Sequence, residues 1–312
     1  MRLVLLLTIM KDIQFTVADK GAELVSIQRG GREYLWNGDP EFWGRSAPIL
    51  FPVVGMLAND KLRIDGHECT MKQHGFARDT MFIRQDGYKP AILGGNTDVQ
   101  TLRGPLVLKM CQDGRPANYP YSFDLEARYE TIDDSVSCSW TVRNLGGKTM
   151  YFQIGAHPAF LLPDYNETED VHGYVKFYDE SGSPVSPIIT SYLIDGLRHT
   201  YATPRTLINE TGICPITNSS FVNGALMIEG NQVASIALLD KQEKEVLRVV
   251  CPQAECYGLW APNKPGCPFV CIEPWCGIAD KYDFQGDISE REYIHCLEPD
   301  ESYVFNYMIQ IS

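Results

Sequence analysis

Turn signals punctuate this chain at short intervals, and nothing else in it constrains the fold as much. They stand at Arg29-Gly30-Gly31, Asn37-Gly38-Asp39, Asp65-Gly66, Gly94-Gly95-Asn96, Asp113-Gly114, Asn144-Leu145-Gly146-Gly147, Ser181-Gly182-Ser183 and Glu229-Gly230-Asn231. Glycine supplies positive φ, and Asn and Asp side chains hydrogen-bond their own backbone, so each cluster favours a reversal. Between them lie short runs with apolar residues at alternate positions: 62–64, 121–129, 136–142, 150–155, 233–238, 246–250, 269–273 and 303–311. A period of two is that of a half-buried strand. Strands joined by tight turns pair antiparallel. The pattern predicts an all-β fold, a large antiparallel sandwich or barrel with few short helices. The best helix candidate is 287–293.

No internal repeat, low-complexity tract or linker interrupts the pattern. Segments rich in proline and polar residues at 163–166 and 181–187 read as loops of one domain. The expectation is therefore a single domain over residues 1–312. The opening run Leu3-Val4-Leu5-Leu6-Leu7 is short and no small-residue cleavage site follows it, so it reads as a first β-strand. No stretch approaches the ~18 apolar residues of a membrane span, and a cytoplasmic location is expected. A formal net charge of −13 argues against nucleic acid and anionic membranes as partners. Ten cysteines are present, five of them at 251, 256, 267, 271 and 276. None forms a Cys-x-x-Cys pair and no histidine sits at finger-like spacing among them, so reduced thiols are expected and no metal site.

Four stretches place polar residues where the strand pattern ends. In YFQIGAHPAFLLP (151–163), Phe152, Ile154 and Ala156 share one face; Tyr151, Gln153, Gly155 and His157 share the other. Pro158 lacks an N–H, so pairing weakens there and His157 faces a cavity. A core histidine satisfied by a backbone carbonyl fits the stretch equally well. In PFVCIEPWCG (268–277), Val270 and Ile272 point one way, Cys271 and Glu273 the other, and the strand ends at Glu273 before Pro274 and Trp275. A carboxylate in an apolar strand is costly unless paired or used. Burial would raise its pKa toward that of a general base; a buried salt bridge is the alternative. In KQHGFARD (72–79), His74 precedes a glycine, and Arg78 and Asp79 read first as a pair. In FWGRSAPILFPVVG (42–55), Arg45 lies among aromatic and apolar residues, where it could donate to sugar hydroxyls or tie loops together.

Two histidines, a glutamate and an arginine flanked by aromatics, on a β frame, suit carbohydrate chemistry. Interconversion of sugar anomers needs a base to remove the proton from the C1 hydroxyl and an acid to protonate the ring oxygen. Glu and His supply both near neutral pH. No metal or organic cofactor is required.

These residues resemble the aldose 1-epimerases, or galactose mutarotase-like proteins, and most closely their LacX-type subgroup. The resemblance is collinear over nearly the whole chain. It runs from GAELVSIQRGGREYLWNGDPEFWGRSAPILFPVVG through LRIDGHECTMKQHGFARD and IGAHPAFLLP to PFVCIEPWCGIAD and the strand after LEPDESYVF. It implies a single-domain β-supersandwich with an open sugar groove. It implies Glu273 as general base, His157 as general acid, and His74 as a donor to the ring oxygen or a neighbouring hydroxyl. Substrate-binding roles fall to Arg45, Arg78, Gln153 and Trp275. The implied partner is a small-molecule carbohydrate, a free aldohexose such as galactose or glucose, bound by a monomer or a homodimer. A sugar phosphate, or a non-catalytic carbohydrate-binding role on the same fold, stay open beside it. Two positions depart from the subgroup pattern. Met56 stands where that pattern carries a sugar-binding arginine, and Gly224 where it carries an aspartate.

Overall fold

The computed structural model describes residues 13–85, 105–111, 118–186, 188–199, 205–207 and 212–312. The proposed N-terminal strand and the turns at Gly94-Gly95-Asn96 and Asp113-Gly114 lie outside them. Among the described residues the protein is built of antiparallel strands, and three short 3-10 turns are its only helical elements.

Two nine-stranded sheets dominate. Edge to edge, the first contains Ile213–Thr217, Val171–Tyr178, Ser235–Leu239, Glu245–Val250, Ser302–Ile311, Ser135–Asn144, Phe123–Ile132, Leu106–Met110 and Phe82–Arg84. The second runs Leu197–Arg198, Ile188–Ile194, Leu226–Glu229, Cys256–Trp260, Phe269–Cys276, Ile154–Ala156 and Ile49–Leu50. Ala159–Leu161 also pairs with Phe269–Cys276, and Arg205–Leu207 with Ile188–Ile194. The alternation in Phe123–Ile132 explains its seating. Phe123, Leu125, Ala127 and Tyr129 are buried, while Asp124, Glu126, Arg128 and Glu130 are half-exposed. The inward faces of both sheets meet in one buried cluster that includes Trp140, Phe305, Tyr129, Ile154, Val270 and Ile272. Trp140 stacks on Phe305 with ring centroids 5.3 Å apart. Its indole N–H donates to the Tyr129 hydroxyl, which in turn donates to Ala22 O at 2.7 Å, so both of these buried donors are met.

The structure corrects three expectations. The run 150–155 is two strands, not one. Met150–Phe152 pairs with His295–Leu297, and Ile154–Ala156 joins the second large sheet. The chain changes partner at Gln153, whose backbone N–H donates to Pro52 O. Strand 269–273 continues through Pro274 and Trp275 to Cys276. Proline survives there because alternate residues aim their N–H groups to opposite neighbours. Ile272 N–H points to Pro158 O. The next position of that parity is Pro274, which meets the gap between Ile154–Ala156 and Ala159–Leu161, where no ladder acceptor waits. The helix expected over 287–293 shrinks to a single 3-10 turn, Ile288–Glu290, held by a capping box between Asp287 and Glu290. The chain then turns extended at Arg291. That guanidinium is buried, donating to Asp280 at 2.7 Å and to Ile278 O at 3.2 Å, which a continuing helix would not allow.

Candidate active site

The inward face of Phe269–Cys276, bearing Val270, Ile272 and Cys276, packs into the core. The opposite face carries Phe269, Cys271, Glu273 and Trp275, all buried as well. Glu273 and Trp275 face a cavity of about 880 Å³, lined also by His74, His157, Arg78, Gln73, Trp43, Trp260, Asp195 and Asn223. Two glycines stand opposite these side chains; a Cβ would fit in van der Waals contact at the first and not at the second. Gly258 lies opposite Glu273 across the ladder, and a Cβ there would stand 3.4 Å from its carboxylate carbon. Gly155 lies opposite Trp275, and a Cβ there would come within 2.8 Å of the indole.

His157 emerges where Ile154–Ala156 ends, in the same ladder gap that Pro274 faces. Trp43 stacks on its ring at 4.7 Å, and Trp260 and His74 meet it edge-on at 5.7 and 5.4 Å. Its Nε2 lies 3.1 Å from Glu273 Oε2. The approach is close but off the hydrogen-bond axis, for Oε2 has no hydrogen-bond partner within the protein. His157 Nδ1 and Trp275 Nε1 are buried and similarly unmatched. The three unmet polar atoms belong to residues that line the same cavity, an arrangement that suits a polar ligand rather than a finished core.

His74 adopts φ +64, unusual for a residue with a side chain and a mark of a position held in place by its surroundings. Its Nδ1 accepts the Gly55 N–H at 3.1 Å. A nitrogen that accepts cannot also carry the proton, so the neutral ring bears it on Nε2. Burial, with the positive charges around it, holds the His74 pKa well below the ordinary imidazole value. His74 is therefore a neutral donor. Burial likewise lowers the His157 pKa, helped by Arg78 and then Arg45. Burial pushes Glu273 well above the ordinary carboxylate value, opposed only by the Trp275 indole N–H. Both effects favour the uncharged forms, so a proton shared by the empty pair rests on Glu273 rather than on His157.

The other expected binding residues divide. Trp275 and Arg78 line the cavity. Arg78 donates from Nη2 to Gln73 O, and its Nε is buried and unmatched. Arg45 stands behind it, donating to Asp79 at 2.8 Å and to Arg78 O at 3.3 Å, and does not line the cavity. Gln153 is fully buried away from the cavity. Its Oε1 accepts the Val54 N–H and its Nε2 donates to Glu292 O, so both ends of the amide are taken by crossing backbone. Trp43 and Trp260 went unassigned in the sequence. Trp43 lies two residues before Arg45 in the aromatic stretch already singled out, but Trp260 ends an ordinary strand and carries no signal of its own. Of the two departures, Gly224 lines the cavity at φ +94, and a Cβ there would lie 2.7 Å from Leu193 O, so the wall is backbone at that point. Met56 packs against the Asp195-Gly196 turn, 3.1 Å from a Cβ built on Gly196.

The family model for aldose 1-epimerase matches residues 4–310. The plasmid-encoded protein LacX of Lactococcus lactis subsp. lactis is 30% identical over 290 residues, covering 90% of this chain and 91% of its own. The crystal structure of a galactose mutarotase related enzyme from Lactobacillus acidophilus superposes with a TM-score of 0.79 at 26% identity, covering 97% and 95% of the two chains. A galactose mutarotase-like protein from Lactobacillus casei shares the fold at a TM-score of 0.80 and 23% identity, covering 96% and 97%. Sequence and fold agree: this chain belongs to the aldose 1-epimerase family.

Proposed function

We propose that the chain interconverts the α and β anomers of a free aldohexose such as galactose or glucose, with Glu273 as base, His157 as acid and His74 as a fixed donor. The observation that carries this reading is the 3.1 Å approach of Glu273 to His157 on a cavity floor faced by three tryptophans. When the sugar binds, the proton of the pair moves to His157, leaving a carboxylate beside the C1 hydroxyl. Glu273 takes the O1 proton, the O1–H electrons become the carbonyl bond, and the C1–O5 bond breaks. O5 takes the His157 proton, while His74 Nε2–H hydrogen-bonds it or a neighbouring hydroxyl. The open aldehyde turns about C1–C2. Reclosure runs the same transfers backward: Glu273 returns its proton to O1, and His157 takes one from the hydroxyl on C5. The pair holds one proton throughout, and the two halves of the cycle are its two tautomers. No net charge enters or leaves the dry site, which keeps the barrier low.

Indole faces at Trp43, Trp260 and Trp275 suit the apolar face of a pyranose, and Arg78 and Gln73 its hydroxyls. A neutral sugar is favoured over a phosphate because Arg45 is paired with Asp79 and does not line the cavity, which leaves Arg78 as the one guanidinium facing it among the described residues. Polarimetry on freshly dissolved α-D-galactose and α-D-glucose tests the proposal. Rotation should reach its equilibrium value faster with the protein than without it; a folded protein that changes neither rate would count against a free-sugar mutarotase.

A further inference from the structure

Cys271 stands beside the acid–base pair and has no part in the cycle above. Its sulfur, a nitrogen of His157 and a carboxylate oxygen of Glu273 all lie within 4.8 Å of one another, and the three residues are buried. Cys271 and Glu273 are two residues apart on one face of one strand; Cys271 lies just behind the cavity wall, clustered with Ala159 and Phe269, and the ladder sets Ala159 and Trp260 on either side of it. Thiolate, imidazole and carboxylate are the donors of a tetrahedral zinc centre. The spacing of the cysteines gives no hint of it, because the ligands come from two segments far apart in sequence.

The geometry can be worked through. His157 Nε2 and Glu273 Oε2 are 3.1 Å apart. Bonds of about 2.0–2.1 Å to both would subtend an angle of about 98° at the metal, close to tetrahedral. Sulfur, bonded at about 2.3 Å, would have to close in by no more than about 1.3 Å. Glu273 Oε2 has no partner to give up. The cavity supplies an entry path and a fourth position for water. A dication that displaces the thiol and carboxyl protons leaves the site with the net charge it began with, as a buried site requires. Arg78, whose charge reaches His157, opposes any cation here. The thiolate has to overcome it, so Cys271 decides whether the ion stays.

We propose that Cys271, His157 and Glu273 bind a thiophilic divalent ion of the Zn²⁺ class, which inhibits the enzyme reversibly by occupying the two groups that move the sugar's protons. The inhibition rests on the catalytic reading above; the binding does not.

The test titrates Co²⁺, then Zn²⁺, into the purified chain and into Cys271→Ser and Cys271→Ala. One equivalent of Co²⁺ should give a sulfur-to-cobalt charge-transfer band that Zn²⁺ abolishes and both variants lack. In polarimetry both variants should keep their basal rate, and the Zn²⁺ concentration for half-inhibition should rise at least about tenfold, a lower bound for the loss of a ligand. Absence of the band would overturn the proposal. So would a band that persists in the variants, which would put the ion at the second cluster of suitable donors, Glu255, Cys276 and His295. Binding through Cys271 in a chain that accelerates no sugar would support the site and refute the catalytic reading, so the two failures are separable.

Discussion

Replacing Glu273 by glutamine removes the base and almost nothing else. The amide keeps the carboxylate's shape, so it fits between Gly258 and Trp275 without opening a cavity. What is lost is the capacity to take the O1 proton. General base catalysis is worth about 10²–10⁴ in rate, which is about 2.7–5.4 kcal/mol of barrier at 1.36 kcal/mol per tenfold. Stability should move the other way. Glu273 is 2% exposed, and burial is the leading cause of its raised pKa. A carboxyl group whose pKa burial raises costs stability at any pH above its unfolded value, and an amide, which does not titrate, escapes that cost, so the melting temperature should hold or rise. The assay is polarimetry on fresh α-galactose beside a thermal melt of the same preparation. Turnover should fall at least about 100-fold with no loss of Tm. Full activity in Glu273→Gln would refute the assignment of the base. A fall in activity accompanied by a fall in Tm would refute the argument that the carboxylate is held there at a cost.

The pH profile follows from one shared proton: activity should fail at low pH when the pair gains a second proton and at high pH when it loses its only one. Burial lowers the His157 pKa to about 3, so the acid limb of kcat/KM should fall well below the ordinary histidine value of about 6.5, and a limb near that value would contradict the burial. Trp43→Ala removes the ring stacked on His157 and one wall of the groove, so KM should rise and kcat should fall, by saturation kinetics on galactose. Arg291→Met strands the buried carboxylate of Asp280, 2.7 Å from the guanidinium, and should cost about 3–5 kcal/mol in denaturant unfolding. Gly155→Ala drives a methyl group into the Trp275 indole and should cost about 1–3 kcal/mol, with loss of activity larger than the loss of folded protein explains.

The alternation in 121–129, 136–142 and 303–311 was legible because each of those strands has one face in the core and one in water, and a period of two records that difference. The face carrying Cys271 and Glu273 was legible from their alternation with Val270 and Ile272, although both faces of that strand are buried. Its far end was misread because a proline usually closes a strand, and only the three-dimensional gap at His157–Pro158 lets Pro274 stay. Gln153 was placed on the cavity side by counting alternate positions from His157. That count failed where the chain changes partner at Phe152–Gln153, an event set by Pro52 and His295 far away in sequence. Arg45 was chosen for its aromatic neighbours, yet Asp79, thirty-four positions on, claims it. Trp260 reaches the site only because Cys256–Trp260 pairs beside Phe269–Cys276, and no pattern within a single strand encodes its neighbour.

The most direct test of the central claim is proton exchange spectroscopy by NMR on galactose and glucose already at anomeric equilibrium, with wild-type protein and with His157→Asn. The account predicts cross-peaks between the α and β anomeric protons that grow with wild-type concentration and vanish in the variant. Equal exchange with both proteins, or none above the buffer rate with folded wild type, would contradict it.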